Sequence, residues 1–214
     1  DKIEWRANVP FSTQFNDLYY SADNGLAEAQ HVFLSGNNLP ERFSTGFQIA
    51  ELGFGTGLNL LVALAAWRKS GVKGVLYFTS FEAFPLMPEQ MIIAHQAFPE
   101  LKEIATELAS LWGNNITLPD LKFDLILGDA RDTLPAWFKK ADAWFLDGFS
   151  PAKNPELWEP TLMANVALHT KSGGSCATYT AAGFVRRSLQ KAGFSITRTP
   201  GFGRKRHMTQ GTMQ

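Results

Sequence analysis

The stretch Glu51-Leu52-Gly53-Phe54-Gly55-Thr56-Gly57-Leu58-Asn59 constrains this chain more than any other. Phe47–Leu52 before it reads as a short apolar strand, and Leu58–Trp67 after it as an apolar helix. Three glycines at alternate positions join the two. Glycine lacks a Cβ and tolerates φ > 0, so the backbone of such a turn can come close to a ligand. The helix that follows points unpaired N–H groups at the same place. Strand, glycine turn and helix make the opening unit of an α/β sheet, which binds its ligand at the strand's carboxyl end.

The turn is ill suited to phosphate. A dinucleotide fingerprint needs G-x-G-x-x-G, and Leu58 stands where the third glycine belongs. A P-loop needs Gly-Lys-Ser/Thr, and none follows. Glu51, two residues ahead of the first glycine, would repel a pyrophosphate and attract an ammonium or sulfonium group. S-adenosylmethionine carries both of these cations and no phosphate. The turn therefore points to that cofactor, with Glu51, Gly53, Gly55, Gly57 and Asn59 as its candidate ligands.

Downstream, strand and helix patterns alternate, as a mostly parallel sheet requires. Strands are expected at Val75–Phe81, Lys122–Leu127, Ala141–Leu146 and Gly174–Thr180, and a final antiparallel pair at Ser195–Thr199 and His207–Met213. Helices are expected at Pro88–Phe98, Pro99–Trp112, Thr133–Lys139, Pro155–His169 and Ala181–Ala192. Residues 1–46 are rich in aromatics and turn formers. They read as an extension packed over the cleft of the 47–214 domain, with a strand at His31–Leu34 and its turn at Ser35–Asn38.

Acidic residues close the middle strands: Glu82, Asp129 and Asp147. A carboxylate after the second strand can accept both hydroxyls of a ribose, which is the role expected of Glu82. Asp129 and the Ala130 N–H are placed to read an adenine edge. Asp147 opens the segment Asp147-Gly148-Phe149-Ser150-Pro151-Ala152-Lys153-Asn154-Pro155, which would face the glycine turn across the sheet. Methylation of an amine needs a neutral nitrogen lone pair aimed at the methyl carbon. A carboxylate can accept the amine's N–H and hold that lone pair in line. Asp147 is the candidate catalytic residue. Phe149 or Trp158 could stack a planar base, and Lys153 and Asn154 are candidate substrate contacts.

Formal net charge is zero, so overall charge names no partner, but its distribution does. From Lys171 onward there are eight Lys/Arg and no Asp or Glu. Such a basic end permits a polyanion to dock on one side. Cys176 is the only cysteine, which fits a reducing, cytoplasmic setting. The four histidines lack metal-ligand spacing, so no metal is expected, and no apolar run reaches membrane-spanning length.

Glu51–Asn59, Ser80–Pro85, Trp144–Pro155, Ala182–Arg187 and Gly201–Arg206, with Phe15–Ser21 and Val32–Asn37, together resemble one family. It is the methyltransferase domain of the bifunctional tRNA 5-methylaminomethyl-2-thiouridine biosynthesis proteins. The resemblance runs nearly end to end, with a shorter stretch at Gly113–Lys122. It implies a class I, Rossmann-like fold, S-adenosylmethionine as donor, and the 5-aminomethyl group of a wobble uridine as acceptor. It also implies contact with the tRNA anticodon region through Arg186 and Arg187 on one helix and Arg204, Lys205 and Arg206 on a loop. An FAD-dependent oxidase, fused or separate, would supply the aminomethyl group. The same fold also serves small-amine methyltransferases and aminopropyltransferases, and a domain that binds the cofactor and docks an oxidase without turnover is a third reading.

Overall fold

Gln48–Leu52 form β4, the strand around which the molecule is built, and all five of its residues are buried. A strand covered on both faces is what a parallel sheet flanked by helices demands. Alternate residues divide between the two faces. Ile49, with Phe78 and Phe145 on the neighbouring strands, joins one core cluster. Ala50 and Leu52, with Phe81, Trp144 and Leu146, join the other. The computed structural model describes residues 2–113 and 115–214.

The chain opens with a small antiparallel sheet of β1 (Ile3–Arg6), β2 (Val9–Ser12) and β3 (Asp17–Leu18). Helix α1 (Gly25–Ala29) follows, with the Asn24 side chain accepting the Ala27 N–H at 2.8 Å as its cap. After β4 come α2 (Leu58–Ser70), β5 (Leu76–Glu82), α3 (Pro88–His95), α4 (Lys102–Leu108), β6 (Ile116–Leu118) and β7 (Leu121–Leu127). Then come α5 (Ala130–Thr133), β8 (Ala141–Leu146), α6 (Pro160–Leu168), β9 (Thr170–Thr178), α7 (Gly183–Ala192), β10 (Phe194–Pro200) and β11 (His207–Met213). The main sheet runs β10-β11-β9-β8-β4-β5-β7-β6. Five strands, β7, β5, β4, β8 and β9, pair in parallel, and β11 is antiparallel to both its neighbours. This is the expected mostly parallel sheet with a final antiparallel strand. The strand order reverses at β4 and β8, and the crevice outside their carboxyl ends is the ligand position of such sheets.

Four local expectations are corrected. His31–Leu34 is not a strand. It continues α1 as a π-helical turn over Gln30–Leu34, and Ser35–Asn37 close it with a 3-10 turn. Leu26, Ala29 and Phe33 fall at helical spacing and pack into the core cluster against α2, and this burial decides the conformation of a short apolar run. Thr133–Lys139 is not a helix. It splits between the end of α5 and a 3-10 turn at Leu134–Ala136 that carries Pro135. Pro155–His169 breaks at Glu159, whose ψ of 145° is extended, as the residue before Pro160 should be. Pro99–Trp112 is helical only to Leu108. The strand β6, unexpected in the sequence, pairs antiparallel with β7 across the tight Pro119-Asp120 connection. Asn114, in the stretch Gly113–Lys122, lies outside the described residues.

Candidate active site

At the β4–β8 crevice the chain leaves a cavity of about 640 Å³, within the range of small-molecule sites. The glycine turn forms its floor. Gly53, Gly55 and Gly57 have φ of +86°, +54° and +77°, which L side chains rarely adopt. A Cβ on Gly53 would stand 1.9 Å from the Asp147 carbonyl oxygen, so the ends of β4 and β8 close on each other only with glycine there. Carboxylates dominate the wall: Asp17, Glu28, Glu82, Asp129, Asp147 and Glu156 line it, against Arg131 and Lys205.

Each strand-end acid is held differently. Glu82, at the end of β5, accepts the backbone N–H of Gly55 at 3.0 Å and of Phe84 at 2.8 Å, so it locks the glycine turn while facing the cavity. Asp129 caps α5 through the Arg131 N–H at 2.8 Å and is gripped by the Arg131 guanidinium, which lowers its pKa. Asp147 receives the Asn59 side-chain N–H at 2.7 Å. The same Asn59 nitrogen donates to Glu51 at 2.9 Å. Withdrawal from water raises the Asp147 pKa to about 7; the Asn59 hydrogen bond and Lys205 oppose that rise, and Glu28 adds to it.

Burial also shifts three phenols, a thiol and a second carboxyl group around the cleft. Burial raises Tyr19 and Tyr179, and pushes Tyr20 up to about 12, so all three phenols keep their protons. Cys176 is buried in β9 and its thiol is raised by that burial. Glu51 is 0% exposed and its pKa is pushed well up by burial. Asp147 faces the cleft with a proton affinity raised to near neutral pH.

Segments before β4 form the opposite wall. Phe15 stacks on Phe149 with centroids 4.8 Å apart, Phe84 meets Phe15 edge-on at 5.5 Å, and Tyr19 meets Phe149 at 5.1 Å. Asp17 accepts the Ser150 backbone N–H at 3.1 Å and pairs with Lys153 at 3.0 Å. The sequence reading missed Asp17, Tyr19, Glu28 and Tyr179 as cleft residues. The signal for Glu28 was present, since Asn24 caps a helix whose Leu26, Ala29 and Phe33 recur on one face.

Residues 95–214 match the model of an S-adenosyl-L-methionine-dependent methyltransferase family. The chain belongs to that family. The bifunctional tRNA 5-methylaminomethyl-2-thiouridine biosynthesis protein MnmC of Hahella chejuensis is 44% identical over 99% of this chain, and that of Aliivibrio fischeri likewise. The chain spans 36% and 34% of those two proteins' lengths. Among solved structures, MNMC2 from Aquifex aeolicus superposes with a TM-score of 0.79 at 28% identity, over 100% of this chain and 70% of that one.

In this methyltransferase the predicted residues do not all meet. Gly53, Gly55, Asn59, Glu82, Asp129, Ala130, Asp147, Phe149, Asn154 and Lys205 line one cavity. Glu51 lies beneath it, bonded to Ser80 at 2.7 Å and to Asn59, and Asn59 links it to the cleft. Gly57 caps α2, beside Phe54 and Met91. Trp158 cannot stack a base: it is 1% exposed, and its indole N–H holds the Phe149 carbonyl at 2.9 Å. Lys153 turns away to Asp17 and the Asn16 carbonyl. Arg204, Lys205 and Arg206 are all exposed, but they divide: Lys205 lines the cleft, while its two neighbours do not. On α7, Arg187 is exposed, and Arg186 lies near enough to His207 to depress its pKa together with Arg198 and Arg206, after the larger effect of lost water. Among the described residues no cluster of His, Cys, Asp and Glu is placed to hold a metal, and no helix is long and apolar enough to cross a membrane.

Proposed function

We propose that this methyltransferase transfers a methyl group to the primary amine of a 5-aminomethyl wobble uridine in tRNA. The observation that carries the reading is Asp147, a carboxyl group poised near neutrality at the sheet's switch point, directly against the glycine turn. The acceptor class rests on the likeness to the bifunctional tRNA enzymes, which covers 99% of this chain.

The cleft fits the family's donor. Its cavity is large enough, a glycine floor exposes backbone, and its wall is acidic with both cations already paired, Arg131 to Asp129 and Lys205 to Glu28. Gly53, Gly55 and Glu82 would hold the donor, with Asp129 and the Ala130 N–H toward a purine edge. When bound it supplies a methyl on a sulfonium, whose sulfur keeps the bonding electrons as the amine lone pair takes the carbon. Asp147 accepts the proton that the acceptor ammonium must lose first. Asn59 fixes the carboxylate's position. Phe149, backed by Phe15, offers a face to the base, with Asn154 on the same wall.

Residues 1–46 act as the cap of the 47–214 domain, closing the acceptor side through Asp17 and Phe15. The cations Arg186, Arg187, Arg204 and Arg206 bind anticodon phosphates, which gives affinity without sequence information. A separate oxidase activity, fused or independent, supplies the amine. The test is incubation with labelled S-adenosylmethionine and tRNA lacking the final methyl. Label in that tRNA supports the proposal. Label only in free amines points to a small-amine enzyme, and donor binding without transfer to a non-catalytic domain.

A further inference from the structure

Lys205 is a primary ammonium on a methylene, the same chemical group as a protonated aminomethyl substituent. It sits inside the cleft, paired with the Glu28 carboxylate and 4.3 Å above the centre of the Tyr179 ring. A carboxylate beside an aromatic face is a strong seat for an ammonium. Two of the three partners are fixed. Glu28 stands on α1, with its side chain largely covered. Tyr179 follows β9 and donates its hydroxyl to the Gly148 carbonyl at 2.6 Å, which places its ring next to Asp147. Lys205 alone is half-exposed, on a long flexible stem in the Gly201–Arg206 loop between β10 and β11. Its departure would leave a covered carboxylate unpaired beside Asp147, a costly state unless another cation replaces it.

We propose that Glu28 and the Tyr179 ring form the seat for the acceptor's ammonium, and that Lys205 occupies this seat until the acceptor displaces it. The proposal rests on the amine-methylation reading above and gives it a specificity residue. Glu28 selects a cationic acceptor group and holds it within reach of Asp147. The released Lys205 joins Arg204 and Arg206 at the edge of the cleft, where phosphates would pass.

The test uses two nucleosides, 5-aminomethyluridine and its neutral counterpart 5-hydroxymethyluridine, titrated calorimetrically into the whole chain with S-adenosylhomocysteine present. Without phosphates, any loss of tRNA contacts is excluded from the readout. The wild-type protein is expected to prefer the amine by roughly tenfold, the scale of one charge-assisted hydrogen bond. Glu28→Gln is expected to abolish that preference and Glu28→Asp to keep part of it, with S-adenosylhomocysteine affinity serving as the check that each is folded. Lys205→Met is expected to tighten amine binding. Equal wild-type binding of the two nucleosides, a preference surviving in Glu28→Gln, or weaker amine binding in Lys205→Met would each overturn the seat. If tRNA is methylated yet Glu28→Gln keeps the preference, the seat alone falls. If tRNA is not methylated, the proposed function falls, and the nucleoside preference still decides the seat.

Discussion

The two halves of the cleft are built in opposite ways. The donor half is local: β4, its glycine turn and the start of α2 lie within one run of sequence, Glu82 ends β5, and Asp129 stands two residues past β7. The acceptor half is assembled from distant pieces. Phe15, Asp17 and Glu28 precede the sheet, Asp147 and Phe149 follow β8, Tyr179 follows β9, and Lys205 lies in the last hairpin loop. The donor half is held mainly by backbone geometry, and the acceptor half by side-chain pairs such as Asp17–Lys153 and Glu28–Lys205. Under the proposed function, one half would present the same cofactor every cycle, while the other would admit and release tRNA.

Breaking the donor half should have the largest effect. Gly53→Ala would drive a Cβ into the Asp147 carbonyl at a φ of +86°. Overpacking and backbone strain together should cost roughly 3 kcal/mol or more in urea unfolding, with donor binding lost. Wild-type stability in this variant would mean that β4 and β8 do not close as described.

Asp147→Asn comes next and separates the halves. Methyl transfer should fall by roughly 10²–10⁴-fold, the usual worth of a general base, while donor affinity stays near wild type. In the unaltered protein kcat/KM should rise with pH through about 7, as Asp147 loses its proton. Its stability should move the other way. A carboxyl whose pKa is raised on folding binds its proton more tightly in the folded state, so its contribution is full below the unfolded value and fades as pH climbs toward 7. Asp147→Asn should therefore raise Tm relative to wild type at pH 8, with the gain shrinking toward pH 4. A gain that grows in acid would contradict the buried, raised carboxyl.

Asp17→Ala should do less. It removes the acceptor for the Ser150 N–H and the partner of Lys153, worth roughly 1–2 kcal/mol. The expected signature is a raised KM for tRNA with little change in donor affinity; an unchanged KM would detach residues 1–46 from acceptor binding. Arg206→Ala should have the smallest effect, lowering the slope of log K against log salt by about 1 without altering which tRNAs are chosen.

The contrast between the halves also sets what could be read in advance. Ala141–Leu146 and His207–Met213 were bounded as observed, because a buried strand between turn residues carries its own signal. The helix at His31–Leu34 was not, since a four-residue apolar run fits either conformation until its neighbours are known. Trp158 reads in sequence as an aromatic beside a catalytic acid, yet it is core, because its ring is enclosed and its N–H satisfied. Glu51 reads as a ligand of the cofactor, but its alternation along β4 turns it under the sheet toward Ser80.

From the order of residues alone came the sheet, its switch point, the cationic donor and the acid after the fourth α/β strand. These depend on spacing within single segments, where backbone geometry leaves few choices. Which side chains meet across the cleft was decided by tertiary structure: Asn59 between Glu51 and Asp147, Asp17 on the β8 loop, Lys205 on Glu28. Those pairs join residues up to 177 positions apart, and no local pattern encodes a contact that exists only once the core has brought its two ends together.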